Sequence, residues 1–470
     1  MTKKREGHMG TNKVVTSNKH VWHGIKKEEL RSKAFSVALK IAESIRDPKQ
    51  VKEVVMHKDN VSSIGGIHPW DASSLSHGYP GTVLMFAELD RHFPEEGWNI
   101  VAHEHLLALQ EAIRERGVSN ASMFGGIAGM CFATMAASRN RENYQRFLGQ
   151  LDQLLAKRTV HLIEGEHVRH EERGGSNPHI YDIIQGVSGI GRYLLANKQI
   201  NELYSALENV LRYLVDLSQP MELPDDSKIP GWYLNQDMQF IERDKKLYPK
   251  GNFNVGLAHG IPGPLALLSL AMRDGIEVTG QRDAICRISE WLRRWQENDE
   301  YGIIWRDRVG LEEELGQVSQ PLIRRDAWCY GTLGVARALY LAGEALQDSS
   351  YCKLAIQAYE DVFKRPENHW NLYADMFCHG KAGLLQMTMR MATVTDDERF
   401  QPHIEYLAEK LIGEFNPSLP FGYQDIEPLS NEIVRLNKVG LLEGVAGIGL
   451  TLLSASSKQE PIWDQPFLLA

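Results

Sequence analysis

Cysteine is scarce in this chain, with five among 470 residues at Cys131, Cys286, Cys329, Cys352 and Cys378. An odd, irregularly spaced set in so long a chain argues against a disulfide framework and suits a reducing cytoplasm. A run of eighteen uncharged apolar residues is also missing, which argues against a membrane span. Positive charge is in deficit: 52 Lys and Arg against 61 Asp and Glu leave a net charge of -9. That is the wrong balance for a general nucleic-acid binder, which needs a basic surface to displace counterions. The basic opening stretch, MTKKREGHMGTNK, has no apolar segment behind it, so residues 1–27 read as a disordered tail rather than a signal peptide. What is present, 43% hydrophobic and 24% charged residues, is enough to bury a full core.

A short element recurs seven times. It reads HGYPG from His77, GGIAG from Gly125, QGVSG from Gln185, HGIPG from His259, YGTLG from Tyr330, HGKAG from His379 and EGVAG from Glu443. One G-x-x-G means little, but seven, each opening an apolar run, form a repeat architecture. The runs are apolar nearly all round, as buried helices are. Amphipathic stretches lie between them, at 28–47, 104–116, 142–157, 200–217, 282–296, 350–363 and 400–415. The expectation is therefore an all-α fold of seven inner and seven outer helices over residues 28–455, with 456–470 as a C-terminal tail. An open solenoid would need polar capping repeats at its ends. The first and last inner runs are as apolar as the middle ones, so closure into an α/α toroid is the better reading. Residues 218–254, rich in Pro, Gly, Asp and aromatics, break the periodicity and read as an irregular or β-containing insertion of the kind that carries binding on a repeat scaffold. A surface loop is the plainer alternative. Residues 303–323 form a second, less distinctive break.

Equal offsets from the first glycine should occupy equal places around a ring. The place two before that glycine holds Ser76, Phe124, Ile184, Ala258, Cys329, Cys378 and Leu442; the place one before it holds His77, Gly125, Gln185, His259, Tyr330, His379 and Glu443. Cys329 and Cys378 thus fall in neighbouring repeats, with His379 beside Cys378 and His259 one repeat away. Two thiolates and an imidazole suit zinc, and three protein ligands leave a fourth position open, as in catalytic rather than structural sites. Against this stands the usual fate of a lone cysteine, a small buried hydrophobe, but the shared place in adjacent repeats favours ligands. Cys131, Cys286 and Cys352 lack that register and read as packing residues.

The strings GLAHGIPG (256–263), RDAWCYG (325–331) and FCHGKAG (377–383), with YDIIQGVSGIG (181–191) and SHGYPG (76–81), resemble the signature of the lanthionine synthetase C-like family, the lantibiotic cyclases. The resemblance runs from about residue 76 to 453. It implies one zinc ion on Cys329, Cys378 and His379, an acid or base at His259, and further active-site residues at Asp182, Arg325 and Tyr330. With no fused dehydratase or kinase-like domain, the chain resembles the stand-alone cyclase of a class I system. The implied reaction adds a peptide cysteine thiol to dehydroalanine or dehydrobutyrine, forming a thioether ring in a lantibiotic precursor.

A metal deprotonates a coordinating thiol, and His259 is the expected proton donor to the enolate. Asp182 is expected to fix its tautomer. Arg325 either stabilises enolate charge or orders Asp182 and the metal ligands. His77 is assigned no role. The implied partners are the dehydrated precursor peptide with its leader segment, a dehydratase and an export transporter, with no nucleic acid. The implied setting is cytoplasmic, at the inner face of the membrane. Residues 218–254, with Trp232, Tyr233 and Phe240, are the expected leader contact. Two other functions fit the same residues: addition of glutathione to dehydroamino acids in proteins, and a zinc-bound peptide scaffold without turnover.

Overall fold

The computed structural model describes residues 21–470 apart from 119, 174, 240–241, 320–321 and 429–432. Fourteen helices build a two-layered ring. In chain order they are α1 (Glu28–Ser44), α2 (Tyr79–His92), α3 (Trp98–Arg116), α4 (Ile127–Ala137), α5 (Gln145–Arg173), α6 (Val187–Ala196) and α7 (Asn201–Leu217). They continue as α8 (Pro262–Arg273), α9 (Gln281–Arg294), α10 (Thr332–Leu346), α11 (Ser349–Lys364), α12 (Lys381–Thr395), α13 (Gln401–Glu414) and α14 (Val445–Ser456). The even-numbered helices begin at the G-x-x-G elements and form the inner layer. In α2 every residue from Tyr79 to Asp90 is buried, whereas outer α7 buries a stripe that includes Leu203, Leu207, Val210, Leu211 and Leu214. That difference follows from the apolar period: all-round in the inner helices, one stripe in the outer ones.

Neighbouring inner helices pack in the order α2, α4, α6, α8, α10, α12, α14 and back to α2. The ring is closed by α1, which comes first in the chain but packs on α14, the last inner helix. A circle of backbone hydrogen bonds joins the loops that lead into the inner helices. The amide of Ser76 donates to the carbonyl of Phe124 (3.1 Å), Phe124 to Ile184 (3.2 Å), Ile183 to Ala258 (3.1 Å), and Ala258 to Cys329 (3.1 Å). Cys329 donates to Cys378 (3.3 Å), Cys378 to Leu442 (3.0 Å), and Leu441 to Leu75 (3.0 Å). The places aligned by counting back from each glycine are thus directly bonded to one another, with a one-residue step at two joints.

The strands are short antiparallel pairs on the same face, in connections that enter inner helices. Pro220–Glu222 pairs with Lys228–Pro230, Asn252–Asn254 with Arg308–Gly310, Glu297–Asp299 with Gly302–Ile304, and Asp425–Pro428 with Ile433–Leu436. The second pair ties the 218–254 insertion to the 303–323 break.

Described residues at both ends of the chain are packed against the ring. Residues 1–20 lie outside the described residues, but 22–25 are packed. The Trp22 indole donates to the Ser454 carbonyl (2.9 Å), the Ile25 amide donates to that of Ala455 (2.7 Å), and Trp22 and Ile25 are buried. Residues 461–470 plug the ring. Trp463, Phe467, Leu468 and Leu469 are buried among the inner helices. Burying each aromatic ring withdraws about 150–250 Å² from water, a contribution that works against the entropy cost of ordering the segment.

Candidate metal centre

The hydrogen-bonded circle sets Ala258, Cys329 and Cys378 in consecutive places, so His259, Tyr330 and His379 follow them at the mouth of the ring. The ligand atoms of Cys329, Cys378 and His379 all lie within 4.8 Å of one another. Sulfurs about 2.3 Å and a nitrogen about 2.0–2.1 Å from a tetrahedral zinc stand about 3.5–3.8 Å apart, so the trio fits the ion with small adjustment. It is the one such group among the described residues. The turn between Cys329 and α10 depends on Gly331, whose φ is +94° and where a Cβ would collide with the Arg325 carbonyl oxygen.

The two thiols sit in opposite electrostatic settings. A hydrogen bond from Cys378 holds the Cys329 thiol well below the usual thiol range; burial opposes this, while His379 and Arg325 reinforce it. The Cys378 thiol is pushed up by its hydrogen bond with Cys329 and by burial. Against its burial, His379 is raised by Cys329.

Of the residues expected beside the ligands, His259 and Asp182 meet directly. His259 Nδ1 lies 2.7 Å from Asp182 Oδ2. The other carboxylate oxygen, Oδ1, accepts the amides of Gln185 and Gly186, both at 2.7 Å, at the start of α6. Asp182 is fully buried. Since an ionised carboxylate only accepts hydrogen bonds, the Nδ1 proton faces Asp182 and Nε2 is turned away from it. Arg325 makes no hydrogen bond to Asp182 among the described residues; the charges it faces are those of the cysteines instead. Its guanidinium lies 6.0 Å from the ring centre of Tyr373, itself beside the His379 ring, and burial of its charge is offset by Cys329, Tyr373, Asp307 and Cys378. Tyr330 packs near the His259 ring, 6.3 Å between centres. Its hydroxyl accepts from Arg308 Nη2 (3.0 Å) and Asn254 Nδ2 (3.2 Å), and burial raises its pKa.

Asn254 and Arg308 were not legible as site residues. Nor was Asp307, a buried carboxyl that burial pushes up to about 6, with Arg308 and Arg325 opposing. They come from the paired strand segments outside the repeat register. Glu443 was visible as the seventh occupant of the place before the glycine but carried no role. Although burial works against it, Lys438, His77 and His379 hold its carboxyl down to about 2, and Lys438 Nζ lies 3.0 Å away. His77 stands two places round the ring from His379. Of the three remaining cysteines, Cys131 is buried within α4, and Cys286 and Cys352 lie part-buried on outer helices.

In Trp232, expected to contact peptide, the indole is instead buried edge-on against Trp291 at 5.3 Å; Tyr233 is half-buried, and Phe240 lies outside the described residues. No helix among the described residues is long and apolar enough to cross a membrane.

The chain is similar to the nisin biosynthesis protein NisC of Lactococcus lactis subsp. lactis, with 24% identity over 400 residues, covering 84% of this chain and 88% of that protein. Its fold is similar to that of a solved nisin cyclase, with a TM-score of 0.72 and 22% identity over 94% of this chain and 98% of the other. The family model for lanthionine synthetase C-like proteins matches residues 69–468. With nearly the whole ring inside that match, the chain belongs to the lanthionine synthetase C-like family.

Proposed function

We propose that this protein is a zinc-dependent lantibiotic cyclase. It would add cysteine thiols of a dehydrated precursor peptide to dehydroalanine or dehydrobutyrine in the same peptide. The observation that carries the reading is the placing of a Cys–Cys–His trio and an Asp-supported histidine on consecutive repeats at one mouth. A zinc ion on Cys329, Cys378 and His379 would hold the substrate sulfur as a thiolate near neutral pH.

The chain's own residues supply the rest. A sulfur–carbon bond forms at the β-carbon as the carbon–carbon π bond is consumed, and the thiol proton leaves to solvent or a base. The α-carbon then takes a proton, and the donor we assign is His259 Nε2, which first takes up a proton such as the one the thiol releases while Nδ1–H stays on Asp182. Arg325 supplies positive charge for the enolate oxygen. Tyr330, fastened by Asn254 and Arg308, forms the wall that keeps the His259 ring in place. The substrate must come from an enzyme that dehydrates serine and threonine, so we place this protein after a dehydratase in a cytoplasmic biosynthetic complex that ends in export.

The test uses a peptide that contains dehydroalanine and a downstream cysteine. Thiol addition loses nothing, so the product should have unchanged mass and no alkylatable thiol. Rate and ring pattern are compared with the uncatalysed reaction. About one zinc per chain is expected. Chelation, or Cys329→Ala, should remove the metal and return both rate and pattern to uncatalysed values. Equal cyclisation by metal-free protein would exclude this mechanism.

A further inference from the structure

The plug formed by residues 461–470 reaches the metal centre from below. Phe467 is fully buried. Its ring stacks on Phe377 at 3.7 Å between centres and meets Trp328 edge-on at 5.0 Å. Phe377 immediately precedes Cys378 and Trp328 immediately precedes Cys329, so both thiol-bearing residues are covalently joined to the rings that hold Phe467. The Trp328 indole also donates to the Phe467 carbonyl oxygen at 3.1 Å.

The plug is fastened by polar side chains that inner helices would not otherwise carry inward. Arg390 and Gln386 of α12 bind the Asp464 carboxylate at 2.6–2.7 Å. Arg337 of α10 donates to the Leu469 carbonyl at 2.9 Å, and Arg192 of α6 to that of Ala470 at 2.8 Å. These four residues are buried in the inner layer. Charged groups are rarely placed there unless paired, and here each is matched to one short segment.

We propose that Phe467 is a positioning residue for the metal centre. By filling the space between Phe377 and Trp328 it would fix the spacing of Cys378 and Cys329, so that the trio is held ready for the ion. The inference rests on the reading of Cys329, Cys378 and His379 as metal ligands. Outer groups that orient ligands typically change metal affinity about 10–100-fold when lost, and a gap beneath two ligands leaves their neighbours without contact atoms on one side.

The experiment measures zinc affinity by competition with a chromogenic chelator, together with the thiolate-to-cobalt charge-transfer and ligand-field bands of cobalt(II)-loaded protein. The variants are Phe467→Ala, the milder Phe467→Leu, and Phe400→Ala. Phe400 is equally buried but packs on Tyr359 in the outer layer, so it reports general loss of core. Phe467→Ala should weaken zinc binding about 10–100-fold and shift the cobalt bands. Phe467→Leu should lie between it and the unaltered protein, and Phe400→Ala should leave both measurements unchanged. Should Phe467→Ala fail to fold, the comparison of Phe467→Leu with Phe400→Ala decides. Unaltered affinity and spectrum in the folded Phe467 variants, or an equal loss in Phe400→Ala, would overturn the positioning role. A chain that binds no zinc at all before any substitution would overturn the metal reading itself, and this role with it.

Discussion

Asp182 serves two neighbours at once, and this makes its substitution informative. In Asp182→Asn the side-chain oxygen can still accept the amides of Gln185 and Gly186, so the turn that leads into α6 is kept. The new amide then faces His259 with a donor where an acceptor stood, and Nδ1 must give up its proton. Folding and zinc content should be retained, while the rate of cyclisation falls by roughly 10²–10⁴-fold, the usual worth of a positioned general acid. His259→Asn should fall as far; a far smaller loss in Asp182→Asn would show that the carboxylate only holds the turn before α6.

A second histidine sets a pH dependence. His105 on α3 is fully buried between Thr82 (2.7 Å) and the Arg46 carbonyl oxygen (3.1 Å), and burial lowers its pKa to about 4. Between the ordinary value of about 6.5 and about 4 the unfolded chain binds the extra proton and the folded chain does not. Stability therefore falls as pH drops through that window, by on the order of 3 kcal/mol in total. Thermal melts at pH 7, 5 and 4 should show this acid slope, and His105→Gln should flatten it.

At the scale of elements, the hairpin of Pro220–Glu222 and Lys228–Pro230 is the part of the insertion best suited to the leader peptide under the proposed function. Beside it lies a cavity of about 390 Å³ walled by Ile229, Trp232, Arg287 and Trp291, and a two-stranded hairpin offers an edge to an extended chain. Replacing residues 220–230 by a short turn should weaken binding of a fluorescent leader peptide at least tenfold, with metal content unchanged. Undiminished binding would assign the leader elsewhere.

The inner and outer helices were legible because each repeat announces itself twice, through a glycine pair and through the period of its apolar residues. The metal trio was legible because its members keep the repeat register. Trp22 and Phe467 were not: each anchors a short stretch with no periodic pattern and no counterpart in other repeats. Asp307 and Arg308 escaped for a related reason, since strand pairing of 252–254 with 308–310, not helical spacing, brings them to the site.

Over the whole molecule, the sequence bounded the shape more firmly than the ends of the chain. Seven similar repeats with no polar cap implied closure, and closure is achieved by handing the first outer helix to the last inner one. Residues far apart in the chain, such as Asp182 and His259, then become neighbours simply because their repeats are adjacent. The same arrangement has an electrostatic result. All seven inner helices start at the bonded circle, so their N-terminal ends, each with a partial positive charge of about half a unit, converge on one mouth. In a chain whose net charge is -9, those seven ends add a positive field at the mouth. A peptide thiolate and the enolate that follows it would both be drawn to that field, before any side chain touches them.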